Sequence, residues 1–353
     1  MKKYYPEGAR PDIEAVEKRL SSPAELKNAF LSGESLEARA VLCDRGHNLD
    51  VDLRCMKGFM PRKECAMGIE DNTVRDIAII SRVNKPVDFV ITGFSENERG
   101  ETFALLSRRK LQEECAANYT SRLIPGDIID ARVTHLEPFG AFCDIGAGIS
   151  ALMPIDGISV SRIPHPCVRF SVNQDIKAVV KSIDENGRIT LSQKELLGTW
   201  EENASKFAPG ETVPGVIRSV EDYGIFVELA PNLAGLAECA LGPRAGDSAA
   251  VYIKSINPER MKIKLIIVDY FTGDGKSPAA DYFISDGHID KWTYSPETSI
   301  KRVEVRFRRG RADPREPHQY RSCRQCEDQP SSNAGGPNGF HFRPRNDDTA
   351  GSA

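Results

Sequence analysis

The sequence lacks long apolar runs and an excess of positive charge, and each absence excludes a class of protein. No stretch approaches the roughly 20 consecutive apolar residues that a membrane-spanning helix requires. The start at Met1–Pro6 also lacks the apolar region of a secretory signal peptide. We therefore expect a cytoplasmic protein without a membrane partner. The net charge of −4 at pH 7 argues against a strongly basic surface.

Disulfide and metal frameworks are missing as well. Nine cysteines are scattered without regular spacing, and Cys143, Cys167 and Cys239 lie in apolar strand patterns that predict reduced, buried thiols. Cys323 and Cys326 form the only Cys-x-x-Cys pair. Because a structural zinc site needs four ligands, we expect no metal site there.

Catalytic motifs are equally scarce. The sequence has no glycine-rich phosphate loop, no His-Glu-x-x-His motif and no spacing typical of a serine nucleophile with its base. The short cluster Asp286–Asp290, which contains His288, has no second group of ligands to complete a metal site. We therefore expect a protein that is not an enzyme and has no cofactor.

What the chain does contain is an internal repeat. Phe139–Ile145 (FGAFCDI) recurs as Tyr223–Leu229 (YGIFVEL), at an offset of about 84 residues. Each copy places two aromatic residues around a glycine on a predicted strand. Small barrels commonly hold unstacked bases on exposed aromatic side chains, so single-stranded nucleic acid is the leading candidate partner.

The apolar patterns predict a mainly β fold of tandem five-stranded OB-type barrels, with short linker helices and a disordered C-terminal tail. The clearest barrel covers 123–194, where short alternating segments are separated by turn residues. A trimmed copy covers 208–268 and a degenerate copy covers 33–110. The other predicted segments are a helical lead-in at 1–32, a linker helix at 195–207, a partly structured extension at 269–308 and the tail at 309–353. The composition of that tail is typical either of a genuine basic tail or of a reading-frame error.

Several strings in these copies resemble the S1 RNA-binding domain family. In the middle copy they are Phe139–Ile145, Ser150–Pro154 (SALMP) and Ile183–Ser192 (IDENGRITLS). The exit into a helix that carries Trp200, followed by a new Gly-Glu start at Gly210, is similar to the tandem spacing of bacterial ribosomal S1 proteins. The resemblance is strong over 123–194, good over 208–268 and faint over 33–110. It implies OB-type barrels that bind single-stranded RNA and act in translation, with messenger RNA as partner and the small ribosomal subunit as a further candidate.

The resemblance also implies which residues contact RNA. Two pairs of aromatics would stack on bases, and residues of the last hairpin would contact the backbone; these residues are Phe139, Phe142, Asp184 and Arg188 in the middle copy and Tyr223, Phe226 and Lys262 in the third. Arg188 would supply a phosphate contact or a stacking guanidinium. For Phe142 and Phe226, burial in a barrel core is the competing interpretation.

The paired aromatics pose a geometric question, because residues three apart face opposite sides of a regular strand. We expect a glycine-centred bulge, at Gly140 and at Gly224, to turn both rings toward one surface.

The copies also depart from the family pattern. In the first copy the two aromatic positions fall on His47 and Asp50, and we expect that copy to bind protein rather than RNA. In the third copy, Asn257 stands where the pattern has an aspartate. Two alternatives to a ribosomal role stay open: an RNA-binding regulator of translation, RNA decay or transcription, and a protein-interaction scaffold. The acidic balance of residues 1–300 favours the scaffold.

Overall fold

Three β-rich modules follow one another in the computed structural model, which describes residues 3–273, 275–276 and 281–307 of the 353-residue chain. The predicted tail at 309–353, with its Cys323–Cys326 pair, lies outside the described residues. Among the described residues, no helix has the length and apolar content needed to cross a membrane.

Two helices precede the first barrel: α1 (Ile13–Arg19) and α2 (Pro23–Ser32). The start of α2 follows from its sequence, since the Ser22 hydroxyl accepts a hydrogen bond from the Glu25 amide and Pro23 occupies the first turn. Gly33 ends the helix in the left-handed conformation that glycine adopts readily. Leu26 and Ala29 are buried in the core of the first barrel, so these helices form part of that module.

Each module contains five strands. The first barrel has β1 (Ser35–Cys43), β2 (Leu49–Asp52), β3 (Lys57–Met60), β4 (Pro86–Glu96) and β5 (Thr102–Ser107). The middle barrel has β6 (Ile128–Glu137), β7 (Gly140–Asp144), β8 (Ser150–Pro154), β9 (Asp175–Ile183) and β10 (Ile189–Ser192). The third barrel has β11 (Thr212–Glu221), β12 (Gly224–Ala230), β13 (Leu233–Ala237), β14 (Ser248–Asn257) and β15 (Lys262–Phe271).

All three barrels close with the same strand order. In the first barrel the order is β1-β2-β3-β5-β4, and β4 pairs back to β1. All neighbours are antiparallel except the third and fifth strands, which are parallel. This is the Greek-key order of an OB-type barrel. The prediction of a mainly β chain of tandem five-stranded barrels is confirmed.

Strand alternation explains the cores. In β6, Ile129, Ala131 and Val133 point inward and are buried, while Asp130 and Arg132 face outward. The corresponding strand of the third barrel buries Ile217.

The expected burial of the cysteines is right for Cys143 but wrong for Cys167 and Cys239, which are exposed. Both exposed cysteines lie in connecting segments rather than in strands.

Short helical segments connect the strands and the barrels. Within the barrels these are α3 (Ile77–Ile80), α5 (Ile155–Ile158) and three-residue 3₁₀ turns at Arg62–Glu64 and Pro166–Val168. Between the first and middle barrels lie α4 (Arg108–Asn118) and a turn at Thr120–Arg122. Between the middle and third barrels, a 3₁₀ segment (Lys194–Leu197) precedes α6 (Trp200–Ala204), where Thr199 and Glu202 form a reciprocal capping box.

Residues 281–307 contact both the middle and the third barrel. They contain a two-stranded sheet of β16 (Lys291–Thr293) and β17 (Glu304–Arg306). On the middle barrel, the Ile289 amide donates to the Gly126 carbonyl at 2.9 Å. Toward the third barrel, Trp292 and Tyr294 are buried in the same apolar cluster as Trp200. Residues 281–307 therefore connect the middle barrel to the third barrel.

A buried charged network joins the first and middle barrels. Both carboxylate oxygens of Glu7 accept hydrogen bonds from the Arg108 guanidinium, at 2.6 and 3.0 Å, and the Glu7 amide donates to Asp144 at 2.8 Å. Burial raises the pKa of Glu7, but Arg108 and Arg82 outweigh burial and the net pKa is lowered. Burial and the neighbouring Glu7 raise the pKa of Asp144 to about 7.

A second buried network joins the middle and third barrels. Arg169 of the middle barrel donates two hydrogen bonds to Glu228 on β12, at 2.7 and 2.5 Å. Arg218 on β11 donates to the same carboxylate at 2.8 and 3.1 Å. All three side chains are almost fully buried. The three barrels belong to one compact unit.

Candidate nucleic-acid interface

The middle barrel brings Phe139 and Phe142 together on its outer surface. Their ring centroids are 6.0 Å apart and their planes are nearly perpendicular, at 89°. Phe139 is 55% exposed. Phe142 is half-buried and lies on the outward side of β7, because its neighbours Ala141 and Cys143 fill the core. The competing interpretation, in which Phe142 belongs to the barrel core, is wrong.

The expected bulge at Gly140 is absent. Gly140 pairs regularly with Glu137 on one side and with Pro154 on the other. Phe139 instead lies in the turn before β7, so strand alternation does not constrain its ring. The glycine has another role: a Cβ at Gly140 would overlap the Met153 carbonyl oxygen. It is the close approach of β8 that requires glycine here.

The third barrel repeats this arrangement. The rings of Tyr223 and Phe226 are 6.1 Å apart at an angle of 86°. Tyr223 is 68% exposed and Phe226 is half-buried. The expected bulge at Gly224 is again absent, since Gly224 pairs directly with Glu221, and an added Cβ would lie 2.7 Å from the Ala237 carbonyl oxygen.

A continuous row of outward side chains surrounds the middle pair. Phe142 lies opposite His135 on β6 and opposite Leu152 on β8, and Leu152 is in turn aligned with Thr190 on β10. The His135 ring is exposed and its centroid is 6.4 Å from that of Phe142. The sequence analysis did not identify His135 as part of this surface. Counting back from the two-residue turn before Gly140 would have placed it beside Phe142.

The last hairpin of the middle barrel carries Asp184 and Arg188. The Asp184 carboxylate accepts hydrogen bonds from the amides of Asn186 and Arg188, at 2.9 and 2.7 Å. Asp184 therefore shapes the turn that presents Arg188. The Arg188 side chain is exposed. Arg188 directly precedes β10 and lies two residues before Thr190. Within the described chain it has no ion-pair partner.

The last hairpin of the third barrel carries residues similar to those of the middle barrel. Asn257 lies opposite Lys262, and the Asn257 side-chain oxygen accepts a hydrogen bond from the Arg260 amide at 2.8 Å. The asparagine thus orders the turn as Asp184 does. Lys262 takes the position of Arg188. Sequence reasoning missed Lys264, which is exposed and aligned with Leu236, the neighbour of Phe226.

The first barrel lacks the aromatic pair at these positions. Asp50 occupies the place of Phe142, between Leu42 and Phe59. Its carboxylate forms an ion pair with Lys57 at 2.7 Å. His47 lies 3.3 Å from the Asp76 carboxylate. In the part of the chain that the structure describes, no three His, Cys, Asp or Glu side chains are grouped to hold a metal ion.

Comparisons with known proteins agree with this geometry. The family model described as S1 RNA binding domain matches residues 122–194. Small ribosomal subunit protein bS1 of Leuconostoc lactis is 29% identical over 266 residues, covering 70% of this chain and 59% of that protein. The bS1 homolog of Bacillus subtilis is 32% identical over 218 residues, covering 60% and 54%. The chain thus spans somewhat more than half the length of these relatives, whose names are those of ribosomal proteins and not of enzymes.

Among solved structures, a multidomain protein with nucleic acid binding domains from Streptococcus pneumoniae aligns over 67% of this chain and 74% of its own, with 12% identity and a TM-score of 0.22. The sequence comparisons thus point to the middle barrel: residues 122–194 match the S1 RNA binding domain model, within a chain similar to the bS1 proteins of the small ribosomal subunit.

Proposed function

We propose that the middle and third barrels bind single-stranded RNA without strong sequence preference. The observation that carries this proposal is the outward aromatic pair on each of the two barrels, in nearly the same edge-to-face geometry. Every base has an aromatic face, so stacking tolerates any sequence. Phe139 and Phe142 form the main platform, and Tyr223 and Phe226 form a second one.

Cations beside the platforms would contact the phosphates. Arg188 flanks the middle platform, and Lys262 and Lys264 flank the third. Stacking contributes about 1–3 kcal/mol per base, and each phosphate contact adds a salt-dependent increment. Because the whole chain is acidic, we expect affinity to depend on these local groups rather than on a general positive field.

The cellular role that fits best is in translation. The curated relatives are named as proteins of the small ribosomal subunit. We propose that this chain acts in the cytoplasm, without enzymatic activity, and helps the small subunit to engage messenger RNA. Sedimentation of a cell extract through a sucrose gradient tests this role, since the chain should travel with small subunits. Recovery only in the ribosome-free fractions would instead favour a regulator that acts off the ribosome.

A titration with fluorescent oligouridylate tests RNA binding itself. Replacing Phe139 and Phe142 by alanine should weaken binding at least about tenfold, because two bases lose their stacking partners. The matched control is Phe30→Ala with Phe94→Ala, which removes an edge-to-face pair of similar geometry from the first barrel and should leave RNA affinity unchanged. Equal affinities of the wild type and the Phe139/Phe142 variant, with a native circular dichroism spectrum, would refute the site.

A further inference from the structure

The first barrel builds an aromatic pair of its own at a different place. Phe59 on β3 and Phe103 on β5 have ring centroids 6.1 Å apart and planes at 82°. Both rings are half-buried and neither belongs to the core cluster of that barrel. The edge-to-face geometry is nearly the same as in the other two barrels, although the sequence positions differ.

Strand register locates this pair relative to the other platforms. Phe59 lies opposite Asp50 and is aligned with Leu105 on β5, so it takes the place that Leu152 has in the middle barrel. Phe103 precedes Leu105 by two residues and therefore takes the place of Arg188. The pair lies on the same outer surface, displaced toward the third and fifth strands.

In the first barrel, therefore, Phe103 stands where the middle barrel has the cation Arg188, and the carboxylate of Asp50 stands where the middle barrel has the ring of Phe142. The hairpin between β4 and β5 adds exposed acidic groups: residues 95–101 contain Glu96, Glu98 and Glu101 against a single Arg99. The corresponding turn of the third barrel, residues 257–262, contains two cations and one glutamate. The turn of the middle barrel, residues 184–188, contains Asp184 and Glu185 against Arg188, so the excess of negative charge is largest on the first barrel.

We infer that the face formed by Phe59 and Phe103 binds an arginine-bearing segment of a protein partner. A guanidinium stacks on aromatic rings and pairs with carboxylates in a planar geometry. The two rings lie together on this face, and the glutamates belong to the hairpin that directly precedes Phe103 in the chain.

Fluorescence anisotropy of the full chain with a labelled peptide of alternating arginine, glycine and serine tests the inference at near-physiological salt. The wild type should bind this peptide, and a peptide with citrulline in place of arginine should not bind, because citrulline keeps the shape without the charge. Replacing Phe59 and Phe103 by leucine should weaken binding about tenfold, since leucine keeps apolar bulk but offers no ring.

The matched control is the same change at Phe139 and Phe142, which should leave peptide affinity unchanged and weaken binding of oligouridylate. Unaltered peptide affinity in the Phe59/Phe103 variant, or equal binding of the citrulline peptide, would overturn the inference. So would a loss of oligouridylate affinity in that variant, because it would make the face an RNA site. If the leucine variant fails to fold, Glu98→Gln with Glu101→Gln should weaken peptide binding several-fold, and an unchanged affinity there would equally overturn it.

Discussion

Replacing Glu228 by glutamine should destabilise the junction between the middle and third barrels. The Glu228 carboxylate accepts four hydrogen bonds, two from Arg169 and two from Arg218. Burial by itself raises the pKa of Glu228, but these guanidinium groups outweigh it and lower the pKa. Removing one partner from a buried ion pair leaves uncompensated charge and typically costs about 3–5 kcal/mol. Because two arginines remain here, we expect a loss in the upper part of that range.

Tryptophan fluorescence during urea denaturation measures this loss. Both tryptophans of the chain, Trp200 and Trp292, are buried in the core cluster of the third barrel and its flanking segments, so their emission reports on this region. Asp130→Asn provides a control, since the exposed Asp130–Lys177 pair should contribute no more than about 1 kcal/mol. A Glu228→Gln variant as stable as the control would show that the network contributes little.

Two further predictions concern protons and salt. Burial and Glu7 raise the pKa of Asp144 to about 7, so the folded state keeps a proton that the unfolded state releases, and the free energy of unfolding should fall as pH rises from about 4 to about 7. Asp144→Asn should make the melting temperature depend less on pH across that range. An unaltered pH dependence of the melting temperature would contradict the assignment. Replacing Lys262 and Lys264 by alanine should reduce the slope of log affinity against log salt by about 0.7 for each phosphate that the variant no longer neutralises. Oligouridylate titrations at several salt concentrations measure this slope. An unchanged slope would show that these two lysines do not contact the RNA phosphates.

The barrels were predictable because their information is local. Apolar and polar residues alternate along each strand, and turn residues mark the hairpins. The repeat of Phe139–Ile145 in Tyr223–Leu229 predicts the same structure at both places. The helix α4 was missed because its segment, RRKLQEECAAN, is largely polar and has few apolar residues to mark a buried face. Leu111 and Cys115 provide that face, and they pack in a cluster with residues distant in sequence.

The candidate site was only partly predictable, because some of its residues are neighbours only through contacts between strands that are distant in sequence. The paired rings lie close together in sequence, and the structure brings each predicted pair together. Their neighbours His135 and Lys264 depend on alignment across strands, and Lys264 requires the parallel pairing of β13 with β15. The pair of Phe59 and Phe103 joins residues 44 positions apart, so no local motif reveals it.

The contacts of residues 281–307 with two barrels limit how far these modules can be exchanged. A fragment that ends after β15 would uncover the apolar side of Trp200 and leave the Gly126 carbonyl without its amide donor. The third barrel therefore cannot be excised or transplanted on its own strands alone. Any shuffling of this half of the chain, in the laboratory or in evolution, has to carry the closing segment along.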